Sequence, residues 1–157
     1  MVLTIDIGNT TIGIGGFQGN KLLFIEKISS RRPLSDAGYI EKLNMILNKH
    51  GLSAEAFEGS MISSVVPSVT AVFSSALETI LGRKPLILSH KLDLGYEICT
   101  DFPEKVGCDR LADIAGAISR YSLPFVTIDL GTATTFNVLD ENRRFLGGLI
   151  LPGVGTA

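Results

Sequence analysis

The sequence predicts an α/β layered fold that opens twice in the same way. Three observations point to it. Apolar β-branched runs alternate with stretches whose apolar residues fall at helical spacing, the pattern of strands and helices packed in layers. The phrase Thr4-Ile5-Asp6-Ile7-Gly8-Asn9-Thr10-Thr11 returns as Thr127-Ile128-Asp129-Leu130-Gly131-Thr132-Ala133-Thr134-Thr135, which marks an internal duplication. The two copies stand too far apart for a solenoid and suit a duplicated domain. Finally, 45% of the 157 residues are apolar, ample for a core.

Taken in order, residues 2–6, 11–17 and 21–28 predict three strands in a meander, with Gly19-Asn20 at the second turn. Gly15-Gly16 suits a bulge or a hairpin and is assigned no chemistry. Residues 35–50 predict a helix: Ser35 or Asp36 caps it, Ile40, Leu43 and Leu47 form its apolar stripe, and Gly51 ends it. Residues 59–66 predict a central strand ended by Pro67, and Ser68 is expected to cap a helix running to Leu81, with Gly82 beyond. Pro85-Leu86-Ile87-Leu88 predicts a short strand. A loop through Tyr96, Pro103 and Gly107 leads to a helix over 108–121, and residues 125–128, 135–140 and 144–149 predict the second set of strands. The domains expected from this order are 1–120, complete, and 122–157, only the opening strands of a second copy.

Each copy of the repeated phrase has the parts of a phosphate site. Asp6, at a strand end, can hold a hydrated Mg²⁺ that meets phosphate oxygens. Gly8 permits a tight turn and close approach of backbone to ligand, and Asn9, Thr10 and Thr11 add side-chain donors. Asp129, Gly131, Thr132, Thr134 and Thr135 repeat the set. A single such phrase would be an ordinary hairpin turn; its recurrence with matching flanks favours phosphate binding. Asp109 and Arg110 start a helix. Spacing leaves two readings open: Asp109 capping the helix or favouring its dipole, or Asp109 as general base with Arg110 gripping an anionic group.

The strand and helix order resembles the ribonuclease-H-like domain of the actin, hexokinase and acetate-kinase superfamily, which binds ATP between two such domains. More closely, Asp6-Ile7-Gly8-Asn9-Thr10, Gly107-x-Asp109-Arg110, Asp129-x-Gly131-Thr132-Ala133-Thr134-Thr135 and Gly147-Gly148-x-Ile150-x-Pro152-Gly153 resemble the ordered motifs of type III pantothenate kinase. That resemblance implies transfer of the ATP γ-phosphate to the 4′-hydroxyl of pantothenate, the first step toward coenzyme A. It implies ATP phosphate and Mg²⁺ contacts from Asp6, Ile7, Gly8, Asn9, Thr10, Thr11, Ile12 and Gly13, and phosphate binding by Thr132. It implies a pantothenate site of Tyr96, Gly107, Cys108, Asp109 and Arg110, with Asp109 as proton acceptor, and a monovalent cation, K⁺ or NH₄⁺, at Asp129. It also implies a homodimer. The resemblance departs at Cys108, where relatives commonly carry Ala; a thiol beside the base is open to oxidation. Another superfamily kinase, acting on a sugar or acetate, is one alternative. A non-catalytic transcriptional accessory factor is another, disfavoured by the intact Asp6, Asp109 and Asp129.

The remaining features narrow the class. The net charge of −2, without a basic stripe, excludes a nucleic-acid footprint. Asp6 interrupts the only N-terminal apolar run, so neither a signal peptide nor a membrane span is expected, and Cys99 and Cys108 lack metal-site spacing. A cytoplasmic, reduced protein follows. His50 and His90 are expected at the surface and Cys99 at least half-buried. The apolar, Gly-rich run from Gly147 to Ala157 suggests a chain interrupted soon after its second half begins. On that expectation the 157-residue chain is inactive alone, and its last apolar strands need cover from another molecule or from the first domain.

Overall fold

The computed structural model describes residues 1–153; the end of the Gly-rich run, 154–157, lies outside the described residues. The chain divides into two units, Met1–Ile87 and Leu88–Ala157.

The first unit is built on a five-stranded sheet. β1 (Val2–Ile7), β2 (Thr11–Gln18) and β3 (Lys21–Ser29) form the expected antiparallel meander; β4 (Gly59–Ser64) and β5 (Leu86–Ile87) add parallel strands on the other side of β1, giving the order β3-β2-β1-β4-β5. Strand alternation sends Leu3, Ile5 and Ile7 to one face, where Ile12, Ile14 and Ile62 join them. Two helices supply the rest of that core: α1 (Asp36–Lys49) with Tyr39, Leu43, Ile46 and Leu47, and α2 (Pro67–Leu81) with Val69, Phe73, Ala76 and Leu77. Tyr39 and Phe73 meet with ring centroids 4.6 Å apart.

The local signals mostly act as expected. The Ser35 hydroxyl accepts from the Gly38 N–H at 3.2 Å and caps α1. A bulge falls between Gly16 and Phe17, and the Phe24 ring lies over Gly16 where a Cβ would stand. His50, at the surface end of α1, stacks on Phe24 with centroids 4.5 Å apart. Ser68, however, is not the cap of α2. Pro67 already occupies the first turn, because its missing N–H costs nothing there, and Val66 is the cap residue. The Ser64 hydroxyl takes the Val66 N–H at 3.0 Å instead.

The second unit is a four-stranded sheet ordered β6-β9-β8-β7, with β6 (Glu97–Ile98), β7 (Phe125–Leu130), β8 (Ala133–Leu139) and β9 (Arg144–Pro152). Helix α3 (Cys108–Ile118) is shorter than expected and packs on this sheet, with Ile114 against Leu139 and Phe145. The contacts therefore divide the chain after Ile87, whereas the sequence placed the division near residue 121. The apolar stripe of α3 is satisfied by the strands that follow it. The strand β6 pairs parallel with β9 in a segment read from the sequence as loop.

Candidate functional site

The two copies of the repeated phrase form hairpins of the same plan. In the first unit β1 ends at Asp6 and Ile7, and the Gly8 N–H bonds the Thr11 carbonyl at 3.0 Å to close the turn. In the second, the Gly131 N–H bonds the Ala133 carbonyl at 3.0 Å. The register differs by one residue: Ile7 faces Ile12 in the first, while Leu130 faces Thr134 in the second. Asp6 stands opposite Gly13, and Asp129 opposite Thr135. Both carboxylates are exposed.

These bonds sort the donors. The Gly8 N–H serves the turn itself, so a ligand at this hairpin meets the exposed tip, Asn9, with Thr10 and Thr11 beside it. The side chains of Ile7 and Ile12 are in the core, leaving only their backbone groups to touch a phosphate. Among the described residues no group of three or more His, Cys, Asp or Glu is gathered to hold a metal ion. The exposed Asp6 carboxylate suits Mg²⁺, which keeps several waters and is commonly held by one or two carboxylates plus the substrate phosphates. Asp129 lines a cleft of about 390 Å³ with Asp113, Arg120, Tyr121 and Thr127, between α3 and the edge strand β7.

Asp109 and Arg110 are shaped by the start of α3. The backbone of Gly107 caps the helix, with no capping side chain. Asp109 Oδ1 accepts from the Arg110 N–H at 2.8 Å and lies over the Gly107 α-carbon, in the space that a Cβ there would fill. Gly107 is thus what allows the half-buried carboxylate to fold back over the helix end. Arg110 turns the other way. Its Nε donates to Asn137 Oδ1 at 2.6 Å and its Nη2 to the Phe136 carbonyl at 3.2 Å, over the Phe145 ring. Burial lowers the Arg110 pKa, against the Asp109 charge, which raises it. Asn137, on β8, is fully buried, and its Nδ2 donates to Thr127 Oγ1 on β7 at 3.0 Å.

The other expected substrate residues are committed within the unit. Tyr96 donates its hydroxyl to the Leu111 carbonyl at 3.0 Å, and burial raises its pKa. Cys108 donates its thiol to the Leu88 carbonyl at 3.1 Å, tying the helix start to the preceding chain. Cys99 is exposed rather than half-buried: it follows β6, where only its backbone joins the sheet, its N–H bonding the Phe145 carbonyl at 2.9 Å. Gly153 packs on the Gly131 and Thr132 carbonyls, too close for any side chain, so the Pro152-Gly153 motif shapes the second turn. Thr132 is exposed at that turn.

Asp6 to Gly13 thus lie together in the first unit. Tyr96, Gly107, Cys108, Asp109, Arg110, Asp129 and Thr132 lie in the second. Sequence reasoning missed Asn137 and Thr127. Their signal is a polar side chain on the inward positions of a strand pair, where Leu139 and Phe125 would lead one to expect apolar neighbours.

A profile described as type III pantothenate kinase matches residues 2–157. A type III pantothenate kinase of Thermomicrobium roseum is 36% identical over 157 residues, covering 100% of this chain and 61% of the relative. One from Bifidobacterium animalis subsp. lactis is 39% identical, covering 100% and 62%. The chain therefore spans about three fifths of the length of these relatives. Among solved structures, ethanolamine utilization protein EutJ from Carboxydothermus hydrogenoformans matches with TM-score 0.51 at 13% identity, over 96% of this chain and 51% of that one. A reductive activator for a corrinoid, iron–sulfur protein matches with TM-score 0.53 at 13% identity, over 88% and 29%. At such identities the likeness shows the fold alone, a mixed α/β ribonuclease-H-like one.

Proposed function

The chain belongs to the type III pantothenate kinase family, and on that premise we propose that the protein phosphorylates pantothenate on its 4′-hydroxyl at the expense of ATP. The observation that carries this reading is the start of α3, where Gly107, Asp109 and Arg110 set a carboxylate and a guanidinium side by side with different partners.

Asp109 is the proton acceptor. Oδ1 is anchored on the Arg110 N–H, so Oδ2 is the oxygen offered to the substrate hydroxyl. Arg110 holds the pantothenate carboxylate: its Nε–Nη2 edge is engaged with β8, and the Nη1–Nη2 edge is the one a carboxylate would meet. Gly107 and Cys108 contribute backbone and shape at the same helix end, and Tyr96 buttresses α3 through Leu111. The first hairpin, Asp6 to Gly13, holds ATP phosphates, with Asp6 meeting hydrated Mg²⁺. The second hairpin holds phosphate at Thr132 and K⁺ or NH₄⁺ at Asp129. Mg²⁺ supplies charge neutralisation on the transferring phosphoryl group. A homodimer and a cytoplasmic location accompany this reading. No helix among the described residues is long and apolar enough to cross a membrane.

The test is ADP release by the full-length protein with pantothenate, acetate or a hexose as acceptor, with and without K⁺. Pantothenate alone should stimulate release, and Asp129→Ala should abolish the response to K⁺. Stimulation by acetate or a sugar in place of pantothenate would favour a different kinase of the superfamily. No stimulated release at all would favour a non-catalytic role.

A further inference from the structure

We infer that Asn137 is the positioning residue that aims Arg110 at the substrate carboxylate, with Thr127 fixing Asn137 in turn. The inference rests on the kinase reading of Arg110. It starts from a side chain that the proposed chemistry does not use: a fully buried amide on the inward face of β8, between the inward-facing Thr135 and Leu139.

The hydrogen-bond inventory leaves the amide only one orientation. The Arg110 Nε–H is a donor, so it must meet the Asn137 carbonyl oxygen, and does so at 2.6 Å. Flipping the amide would set two donors against each other. With the orientation set by Arg110, Nδ2 donates to Thr127 Oγ1 at 3.0 Å; a threonine hydroxyl could serve either side of the amide, so it anchors Asn137 rather than choosing its orientation. Three consecutive elements are thereby linked: α3 through Arg110, β8 through Asn137, β7 through Thr127. Two further features hold the guanidinium plane. The Phe136 carbonyl takes Nη2 at 3.2 Å, and the Phe145 ring lies 5.4 Å from the guanidinium carbon. Gly148 leaves room for it, since a Cβ there would stand 2.9 Å from Nη2.

An arginine has many rotamers, and a fork that must meet a planar carboxylate loses affinity when it is free to turn. Fixing Nε and Nη2 fixes the direction of the remaining edge before substrate arrives. The substrate carboxylate carries no developing charge in the reaction, so the grip on it is taken as equal in ground and transition state, and a loss of aim should appear in KM rather than in kcat.

The experiment compares Asn137→Leu with Asn137→Asp in the full-length protein. Leu keeps the γ-branched shape, with somewhat more bulk, and removes the acceptor for Nε–H; Asp keeps an acceptor oxygen. The expected result is a pantothenate KM raised about tenfold or more in Asn137→Leu, with kcat and the KM for ATP within about threefold, and substantial recovery in Asn137→Asp. Asn137→Leu should also lose the preference for pantothenate over pantothenol, which carries a hydroxyl in place of the carboxylate. A packing role predicts the reverse order, Leu tolerated and Asp damaging, and that outcome would overturn the inference. If neither Asn137 variant folds, Thr127→Val decides: a raised pantothenate KM supports it and an unchanged one overturns it. If the wild type does not turn over pantothenate, the kinase reading fails separately. The arrangement is then judged by the Arg110 Nε–H resonance, which should exchange slowly in the wild type and quickly in Thr127→Val; equal exchange would overturn it.

Discussion

Position 148 admits only glycine because of what surrounds it. A Cβ there would collide with the Phe136 carbonyl of the neighbouring strand and crowd the Arg110 guanidinium. Neither can retreat cheaply, since one is backbone in a sheet ladder and the other is held by Asn137. Gly148→Ala should therefore destabilise the protein by about 3 kcal/mol or more, read by urea denaturation. Gly116, on the exposed side of α3, is the contrast: a Cβ there meets nothing within 4 Å. Gly116→Ala should stabilise by roughly 0.5–1 kcal/mol through helix propensity. Equal effects from the two changes would show that the crowding at 148 is not what demands glycine. The same scale explains why part of the site was legible and part was not. Asp6, Asp109 and Asp129 announce themselves by recurring beside glycine or at a helix start. Asn137 has no such mark, because its role comes from two partners on other elements, which local spacing does not reveal.

Among the elements, the β8–β9 hairpin has its own titratable clasp. Asp140 Oδ1 accepts from the N–H groups of Asn142 at 2.9 Å and Arg144 at 2.8 Å, while Oδ2 meets the Arg144 guanidinium at 2.7 Å. Burial acts to raise the Asp140 pKa, but the bonds from Arg144 and Asn142 outweigh it, and the net shift is below the ordinary 3.8. A lowered folded pKa means stabilisation that is complete above the unfolded value and is lost as pH falls through the folded one. Asp140→Asn should lower the unfolding midpoint at neutral pH. Its deficit relative to wild type should stay constant down to about pH 5 and shrink below the ordinary carboxylate pKa. A deficit independent of pH down to acid unfolding would mean that the charge is not what matters.

The elements also differ in how openly the sequence declares them. β1 to β3, α1 and α2 are long enough to carry a period, and their caps and turns agree with it, so they were readable within a few residues. β6 is only two residues long and exists because β9 offers it a parallel partner, a non-local pairing without a local pattern. The end of α3 was overextended because Ser119 to Tyr121 continue the composition of the helix without continuing its packing.

For the whole molecule, the grouping of α3 with the second sheet puts Asp109, Arg110 and Asp129 in one unit and the Asp6 hairpin in the other. The outer face of the second sheet is apolar and exposed, with Ile128 at 57% and Leu149 at 62%. The duplicated phrase made the plan of two similar hairpins readable. The place where one unit yields to the other was not readable, because a helix between two sheets carries an apolar stripe whichever sheet it serves.

The central claim is that the Asp109 carboxylate accepts the proton of the pantothenate hydroxyl as phosphate arrives from ATP. The most direct measurement is pantothenate-dependent ADP release by the full-length protein and its Asp109→Asn variant at saturating substrates, with ATP affinity measured alongside. Asn keeps the size and the bond from the Arg110 N–H, so folding and ATP binding should be unchanged within about threefold. Turnover should fall by about 10²-fold, toward the lower end for a general base because phosphoryl transfer is largely dissociative. Turnover of the variant within a fewfold of wild type would contradict the assignment.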